Sequence, residues 1–432
     1  MGDRLYAMLF DEDEDRACLD ISEAECRAAP RNFGLNVANG SATKLAEQLA
    51  SPDLTIPWML AAIGAPVFIT GLLVPLRRAG SLLPQLAASG IIRRVPVRKW
   101  VWVAAAVVQA LMLALMAVCV AFLSGLAAGI AVAGLLAVFS VASGVESVSY
   151  KDVLAKTVPK GRRGRLLAAR ASVGGALTLA AGLVLYLFVA EAATRGPYVA
   201  LLAAAALLFG VASLLFARIV EEPGATSGGR TPFEELHAAW GLLRDDRPFR
   251  RFVGARALLL IVTLMQPFYV ILSRRLTGDT VGALGAFVIA TGIGHMIGGP
   301  LWGTSADRAA SKTMVAGGVL AAFAAAYAAA FGFLPETLHR FYLFAPVFII
   351  NAIAYAAVRL GRKTYLVDYA PADERPLYVS VANTLVGAAV LAGALFGVLA
   401  EFAGVEVTVV AGALLLLAGA GLAASLPKVS EQ

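Results

Sequence analysis

Residues 98–151 read RKWVWVAAAVVQALMLALMAVCVAFLSGLAAGIAVAGLLAVFSVASGVESVSYK and hold two apolar runs, 98–122 and 125–149, with basic residues at either end. Crossing a hydrocarbon core of roughly 30 Å takes about 20 residues at about 1.5 Å each, so either run is long enough. Stretches of the same kind recur from near residue 37 to residue 426. Of the 432 residues, 59% are hydrophobic and 15% are charged, and the mean hydropathy is +0.77. A soluble domain is about a quarter charged and roughly half apolar, so this excess cannot be buried in a water-soluble globule. That excludes a soluble enzyme. An outer-membrane barrel is excluded too, because its strands alternate in polarity over about ten residues, whereas these runs have helical length. The chain reads as an all-α membrane protein.

Twelve transmembrane helices are predicted, at 37–61, 67–92, 98–122, 125–149, 166–191, 196–218, 251–274, 281–304, 313–334, 339–361, 376–400 and 404–426. The first two are polar for such a role, with Lys44, Glu47, Gln48 and Asp53 in one and Arg77 and Arg78 in the other. A hydropathy window would instead make 31–50 an interfacial helix and 57–76 the first crossing, which leaves an odd number of spans. Orientation follows from the Lys/Arg bias. One set of loops carries Arg93, Arg94, Arg98 and Lys99; Lys151, Lys156, Lys160, Arg162, Arg163 and Arg165; Arg308 and Lys312; and Arg362, Lys363 and Arg375. The other set carries Arg195, Arg274, Arg275 and Arg340. The first set is expected to be cytoplasmic, and with an even number of spans both termini join it. The expected organisation is an acidic tail (1–36), a six-helix bundle (37–218), a cytoplasmic linker with one amphipathic stretch (219–250), a second six-helix bundle (251–426) and a short end (427–432).

The net charge of +7 therefore reports membrane orientation and not a nucleic-acid partner. Three cysteines, Cys18, Cys26 and Cys119, make no disulfide framework and no metal site, and no cofactor is implied. The N-terminal MGDRLYAMLFDEDEDRACLD is acidic where a signal peptide is basic, and its DEDED run at 11–15 reads as a solvated end. No G-x-x-x-x-G-K-[ST] occurs, so ATP-driven pumping has no support. The tracts GHMIGGPLWG and VGGAL read as close helix packing.

The halves echo each other at a shift of 212 residues, which carries Lys151, Pro159 and Arg163 onto Lys363, Pro371 and Arg375, each set after the fourth span of its half. GTSADRAASK at 303–312 is similar to the loop signature G-x-x-x-D-R-x-x-[SGR]-[KR] of the major facilitator superfamily, and it follows span 8, where the second-half copy belongs. The chain resembles that superfamily of secondary transporters in this motif, in its six-plus-six pseudo-repeat and in its P-x-x-x-R elements. The first-half copy, LAASGIIRRVPVRK at 86–99, keeps the basic cluster and lacks the aspartate. The resemblance implies that Gly303 allows close helix approach and that Asp307 and Arg308 act as gating residues, latching one conformation. It also implies that spans 1, 4, 7 and 10 line a central cavity.

An ionisable side chain in a spanning helix is costly without a partner or a cavity, so each is a candidate site residue. Ser41, Lys44, Gln48, Ser51 and Thr55 lie on one helical face with Glu47 beside it, and Pro52 and Pro57 should bend this helix. This face reads as cavity-lining, or Lys44 and Glu47 simply pair with each other. Arg78, with Ser81 and Gln85 on its face, lies about 11 residues, roughly 16 Å, from the outer end of span 2. It either binds a substrate anion or pairs with Glu47 or Glu146. Ser140, Ser143, Glu146, Ser147 and Tyr150 form a polar face of span 4, on which Glu146 is the best candidate for a protonatable coupling residue, or else half of a buried salt bridge. Span 7 offers Gln266 and Arg256, the latter read as snorkelling to the interface, and span 10 offers Asn351, Tyr355 and Arg359. His295 is a candidate proton relay, or a packing residue beside glycines. Arg170 reads as interfacial.

The expected function is secondary active transport of a small anionic or zwitterionic organic solute across a bacterial inner membrane by alternating access, with proton coupling open. Basic groups slightly outnumber acids among the candidates, which supports the anionic choice. The alternatives are a multidrug-type exporter of amphipathic compounds and a transporter-like protein serving assembly or sensing. The expected partners are membrane lipid, the solute and protons, with no nucleic acid, and the expected state is a monomer.

Overall fold

The computed structural model describes residues 23–84, 92, 94–159, 163–188, 195–223, 242–278, 281–371 and 375–427, and among these no strand forms. The helices are α1 (Glu23–Arg27), α2 (Ala29–Leu49), α3 (Thr55–Ala62), α4 (Val67–Leu82), α5 (Lys99–Phe122), α6 (Gly125–Thr157), α7 (Arg163–Phe188) and α8 (Gly196–Ala217). They continue as α9 (Arg247–Leu259), α10 (Ile261–Leu264), α11 (Gln266–Thr277), α12 (Val281–Arg308), α13 (Ala310–Phe331), α14 (Phe341–Phe344), α15 (Pro346–Tyr369), α16 (Arg375–Leu391), α17 (Leu395–Ala403) and α18 (Val405–Ala424). Nine helical stretches among the described residues are long and apolar enough to cross a membrane. The first two predicted spans and the fifth do not meet that measure: α2 is polar, α3 is apolar but short, α4 is short and carries Arg77 and Arg78, and only Ser172–Tyr186 of α7 is apolar.

Several helices run past the hydropathy limits. The first helix begins at Ala29, ahead of residue 37; α6 runs to Thr157, beyond 149; and α15 runs to Tyr369, beyond 361. Hydropathy registers contact with lipid, whereas a helix continues wherever its backbone bonds are satisfied and a face is packed. Lys151, Arg362 and Lys363 are thus helical residues and not loop residues. The chain breaks between Ala62 and Val67, so a single helix over 57–76 does not form. Ser51 to Leu54 separates α2 from α3: Ser51 Oγ bonds the Asp53 carboxylate and accepts from Leu54 N, and Thr55 Oγ1 donates to Gln48 O at 3.2 Å. This break matches the bend expected from Pro52 and Pro57. Gln85, the acidic run, Lys160, Arg162, the amphipathic linker stretch and most of the 86–99 loop lie outside the described residues.

Polar side chains fasten the bundle at the end that carries Lys151, Lys156 and Lys363, the basic end. Asn32 exchanges two bonds with the Val220 peptide (3.0 and 2.9 Å), and Asn39 Nδ2 donates to Ala212 O at 2.9 Å, which joins α2 to α8 and the segment beyond it. Glu221 accepts from Arg98 N (3.0 Å), Lys99 N (2.6 Å) and Lys156 Nζ (2.8 Å), so its buried carboxylate caps α5 and holds the end of α6. Asp246 does the same for the later half, accepting from Phe249 N (2.8 Å), Tyr369 Oη (2.6 Å) and Tyr378 Oη (3.0 Å).

At the opposite end the two halves close on each other. A Cβ on Gly397 would come within 2.6 Å of Phe68 O and 3.0 Å of Gly71 Cα, so α17 and α4 touch backbone to backbone. A Cβ on Gly285 would meet Gly182 O at 2.8 Å, which brings α12 against α7. Arg274 Nη1 donates to Trp58 O at 2.9 Å with its guanidinium 5.7 Å from that ring, and Phe68 N donates to Glu401 Oε2 at 3.3 Å. Within the later half, Gly294 and Gly298 face α15, where an added Cβ would come within 2.6 Å of Ile349 O and of the Ala356 Cβ respectively. Gly303 has nothing within 4 Å of where a Cβ would stand, so the close approach expected at that glycine is absent.

Asn32→Ala removes both bonds to Val220 and leaves that buried peptide unpaired, which lowers stability by about 1–3 kcal/mol. Asn36→Ala, whose amide bonds only its own helix at Asn32 O, should cost less. Thermal unfolding of the two variants in one detergent checks the order.

Candidate functional site

A cavity of about 310 Å³ opens among α2, the 50–54 break, α4 and α6. Its lining includes Glu47, Asp53, Arg77, Arg78, Phe139, Ser143 and Ser147. Arg77 Nη2 bonds Glu47 Oε1 at 2.9 Å, and its guanidinium lies 5.3 Å from the Phe139 ring. Glu47 therefore pairs across to α4 and not with Lys44. Lys44 itself packs its stem on α7, where a Cβ on Gly174 would lie 3.0 Å from Lys44 Cβ. Of the polar stripe on the first helix, Ser41 and Thr55 turn their hydroxyls to backbone carbonyls, and Lys44 and Gln48 stand beside the cavity wall without forming it.

Arg78, next to the paired Arg77, points elsewhere. Its guanidinium lies 5.8 Å from the ring of Tyr355 on α15, and the guanidinium of Arg359, one turn along α15, lies 5.8 Å from the same ring. His295 on α12 meets Tyr355 edge to face at 5.9 Å. One phenol thus gathers a cation from each half of the chain and an imidazole. Asp53 and Glu47 lie within electrostatic reach of Arg78. The pairing of Arg78 with Glu47 or Glu146 is not what forms: Arg77 takes Glu47, and Glu146 bonds Gln109 Nε2 of α5. Gln109 is fully buried in an otherwise apolar run, and its Oε1 has no partner among the described residues.

Two expectations, for Arg256 and Arg170, are corrected. Arg256 does not snorkel: it is 6% exposed, and its Nη2 donates to Asn383 Oδ1 at 2.7 Å, because α9 packs against α16. Arg170 is not interfacial: it lies 4.3 Å over the Tyr150 ring and packs its guanidinium on Gly40, where only a residue without Cβ leaves room. Asp307 and Arg308 stand exposed at the end of α12, and among the described residues no ion pair joins them to another helix. Gln266 and Asn351 are buried, and Asn351 Oδ1 has no partner among the described residues.

Residues 267–431 match the family model described as Major Facilitator Superfamily. The match covers the later part of the chain, which resembles that superfamily there. The chain is similar to uncharacterized proteins of Mycobacterium tuberculosis and Mycobacterium bovis, at 27% identity over 384 residues, 86% of this chain and 72% of each relative. Among solved structures it resembles a POT family transporter in complex with a thioalcohol-conjugated peptide (TM-score 0.69, 11% identity, covering 90% of this chain and 94% of that one). It also resembles a D-xylose–proton symporter (TM-score 0.66, 13% identity, 92% and 98%) and the nucleoside transporter NupG (TM-score 0.66, 13% identity, 91% and 98%). These likenesses show the fold. The family match in the later part and the nine apolar helical stretches among the described residues make the chain a multi-pass membrane protein with the fold of these structures.

Gln109, Trp58 and Arg362 were not singled out by the sequence reading, and only Gln109 carried a usable signal: a carboxamide inside an apolar run needs a partner. In a background with Cys18, Cys26 and Cys119 changed to serine, Ser147→Cys should react with a water-soluble maleimide. Val107→Cys, on the outer surface of α5 at 51% exposure, should stay unlabelled in liposomes. Labelling rates at the two positions test whether the cavity is water-filled.

Proposed function

We propose that this chain is a member of that superfamily, not an enzyme but a secondary active transporter that moves a small organic anion, or a zwitterion through its acid group, by alternating access. The observation that carries the reading is the convergence of Arg78 and Arg359, from the two halves of the chain, on Tyr355 at 5.8 Å each. Two guanidinium groups bound to a common ligand couple its binding to the relative position of the halves. In this reading twelve helices form two six-helix repeats joined by the 219–250 linker, and the molecule works as a monomer in a bacterial inner membrane. The basic end and both termini face the cytoplasm, by the Lys/Arg bias. The packing of α4 on α17 and of α7 on α12 then closes the outer side, and the cavity faces inward.

Glu146 is the proposed coupling carboxyl. It sits within electrostatic reach of Arg77, Arg170 and Glu47, with Gln109 as its direct partner, so a change in its protonation alters the balance of the neighbouring ion pairs. His295, against Tyr355, is the second proton-handling candidate. Lys44, Gln48, Gln266 and Asn351 shape the surroundings, and Asp307 with Arg308 engages a partner helix in the opposite, outward-facing state.

The test is thermal stabilisation of the purified protein by organic anions, organic cations and peptides. A ligand present at 100 times its dissociation constant adds about 2.7 kcal/mol of stability. The expected result is stabilisation by anions that Arg78→Ala abolishes, with uptake of the same anions into proteoliposomes. Stabilisation by lipophilic cations that survives Arg78→Ala and fails in Glu146→Gln would establish the exporter instead. A silent panel together with no flux would support the non-transporting reading.

A further inference from the structure

The positive charge around Tyr355 extends past the two arginines that touch its ring. Residues 355, 359 and 362 lie on one face of α15 at helical spacing, so Arg362 stands one turn beyond Arg359 toward the basic end. Arg362 is within electrostatic reach of Arg78, Arg359 and Tyr355, and also of Arg256 on α9. Arg256 is 6% exposed, gives one bond to the neutral Asn383 amide, and its Nε has no partner among the described residues. None of Arg78, Arg256, Arg359 and Arg362 has a carboxylate within ion-pair distance among the described residues. Glu47 is taken by Arg77, and Asp53 acts on Arg78 without contacting it. Setting the one charge of Asp53 against four cations leaves three uncompensated. Arg256 is buried and Arg78 and Arg362 are half-buried, with Arg359 exposed beside them; like charges gathered this closely repel one another, and among the described residues no further carboxylate stands within ion-pair distance to offset them.

We infer that the solute carries at least two negative charges. In a dicarboxylate one acid group seats between Arg78 and Arg359 beside Tyr355 and the second reaches Arg362 and the Nε edge of Arg256, whereas a phosphate monoester places its one doubly charged group among the same guanidinium groups. The chemical class is a small dicarboxylate or a phosphate monoester, each of which presents oxygens to two guanidinium groups at once. The inference rests on the reading of this cluster as the transport site and sharpens it from an anion to a dianion. It also gives Arg362 and Arg256 a role in specificity that a monovalent substrate would not need.

The experiment is thermal unfolding of the full-length protein with matched probes, succinate against succinamate and glycerol 3-phosphate against glycerate. The expected result is a dissociation constant lower for the dianion by about tenfold or more in each pair. The preference should persist in Arg362→Lys and vanish in Arg362→Gln, with binding of the monoanions retained in both. Equal affinity within each pair, or a preference unchanged by Arg362→Gln, overturns the dianion inference and leaves the anion reading standing. No stabilisation by any of the four probes overturns both. If Arg362→Gln does not fold, the ratio in the unaltered protein decides.

Discussion

A charge inside a bilayer persists only with a partner, a cavity or a path to water, and the two halves of this chain meet that constraint differently. In the earlier half most of the ionisable groups named above have a neighbour that answers them, with Arg78 the exception. Arg77 has Glu47, Arg170 has the Tyr150 ring, Glu146 has Gln109, and Glu221 has Lys156 and the start of α5. In the later half Arg256 has one amide, and Arg359 and Arg362 have Tyr355 and each other. The deficit of negative charge is concentrated where α4 meets α15. In the proposed reading a bound anion offsets this deficit, and the cavity beside the cluster is its route of entry.

The rest of the architecture places this cluster between surfaces able to separate. Glycines at 71, 285 and 397 allow backbone contact between the halves at the end away from the basic residues, where Trp58 also meets Phe287 and Tyr186 meets Phe341. Arg274 on Trp58 O and Glu401 on Phe68 N add polar contacts there that water can replace on opening. The ends of the linker behave differently. Glu221 and Asp246 each fasten one end of it to one half, through several bonds to helices of that half only. A half can therefore rotate as a unit without losing these bonds, while the glycine contacts between halves change.

Most of the architecture was legible because hydropathy reports which residues meet lipid. Nine of the apolar helices coincide with predicted spans, and the loop signature at 303–312 pointed to the superfamily that the family model matches over 267–431. What hydropathy missed is what lipid does not touch. Asn32 and Asn36 fell in the expected tail and Asn39 in the first span, yet their amides face the linker start, their own helix and α8 in turn. Lys151, Arg362 and Lys363 looked like loop charges because the apolar run ends before the helix does. Partner choice was the least legible. Adjacent Arg77 and Arg78 differ by about 100° around the helix, which sends one to Glu47 and the other to Tyr355, and nothing in their order says which.

That divergence also separates the two halves of the proposed mechanism. Arg77, held by Glu47, is in electrostatic reach of Glu146, so it communicates with the group proposed to carry the proton. Arg78, held by an aromatic ring and by no carboxylate, is left to the ligand. Because both sit on one turn of α4, a shift of that helix driven by either event moves the other guanidinium with it. Coupling between proton and solute then needs no long chain of contacts: it follows from placing two differently partnered arginines side by side on the helix that packs against α16 and α17 of the opposite half.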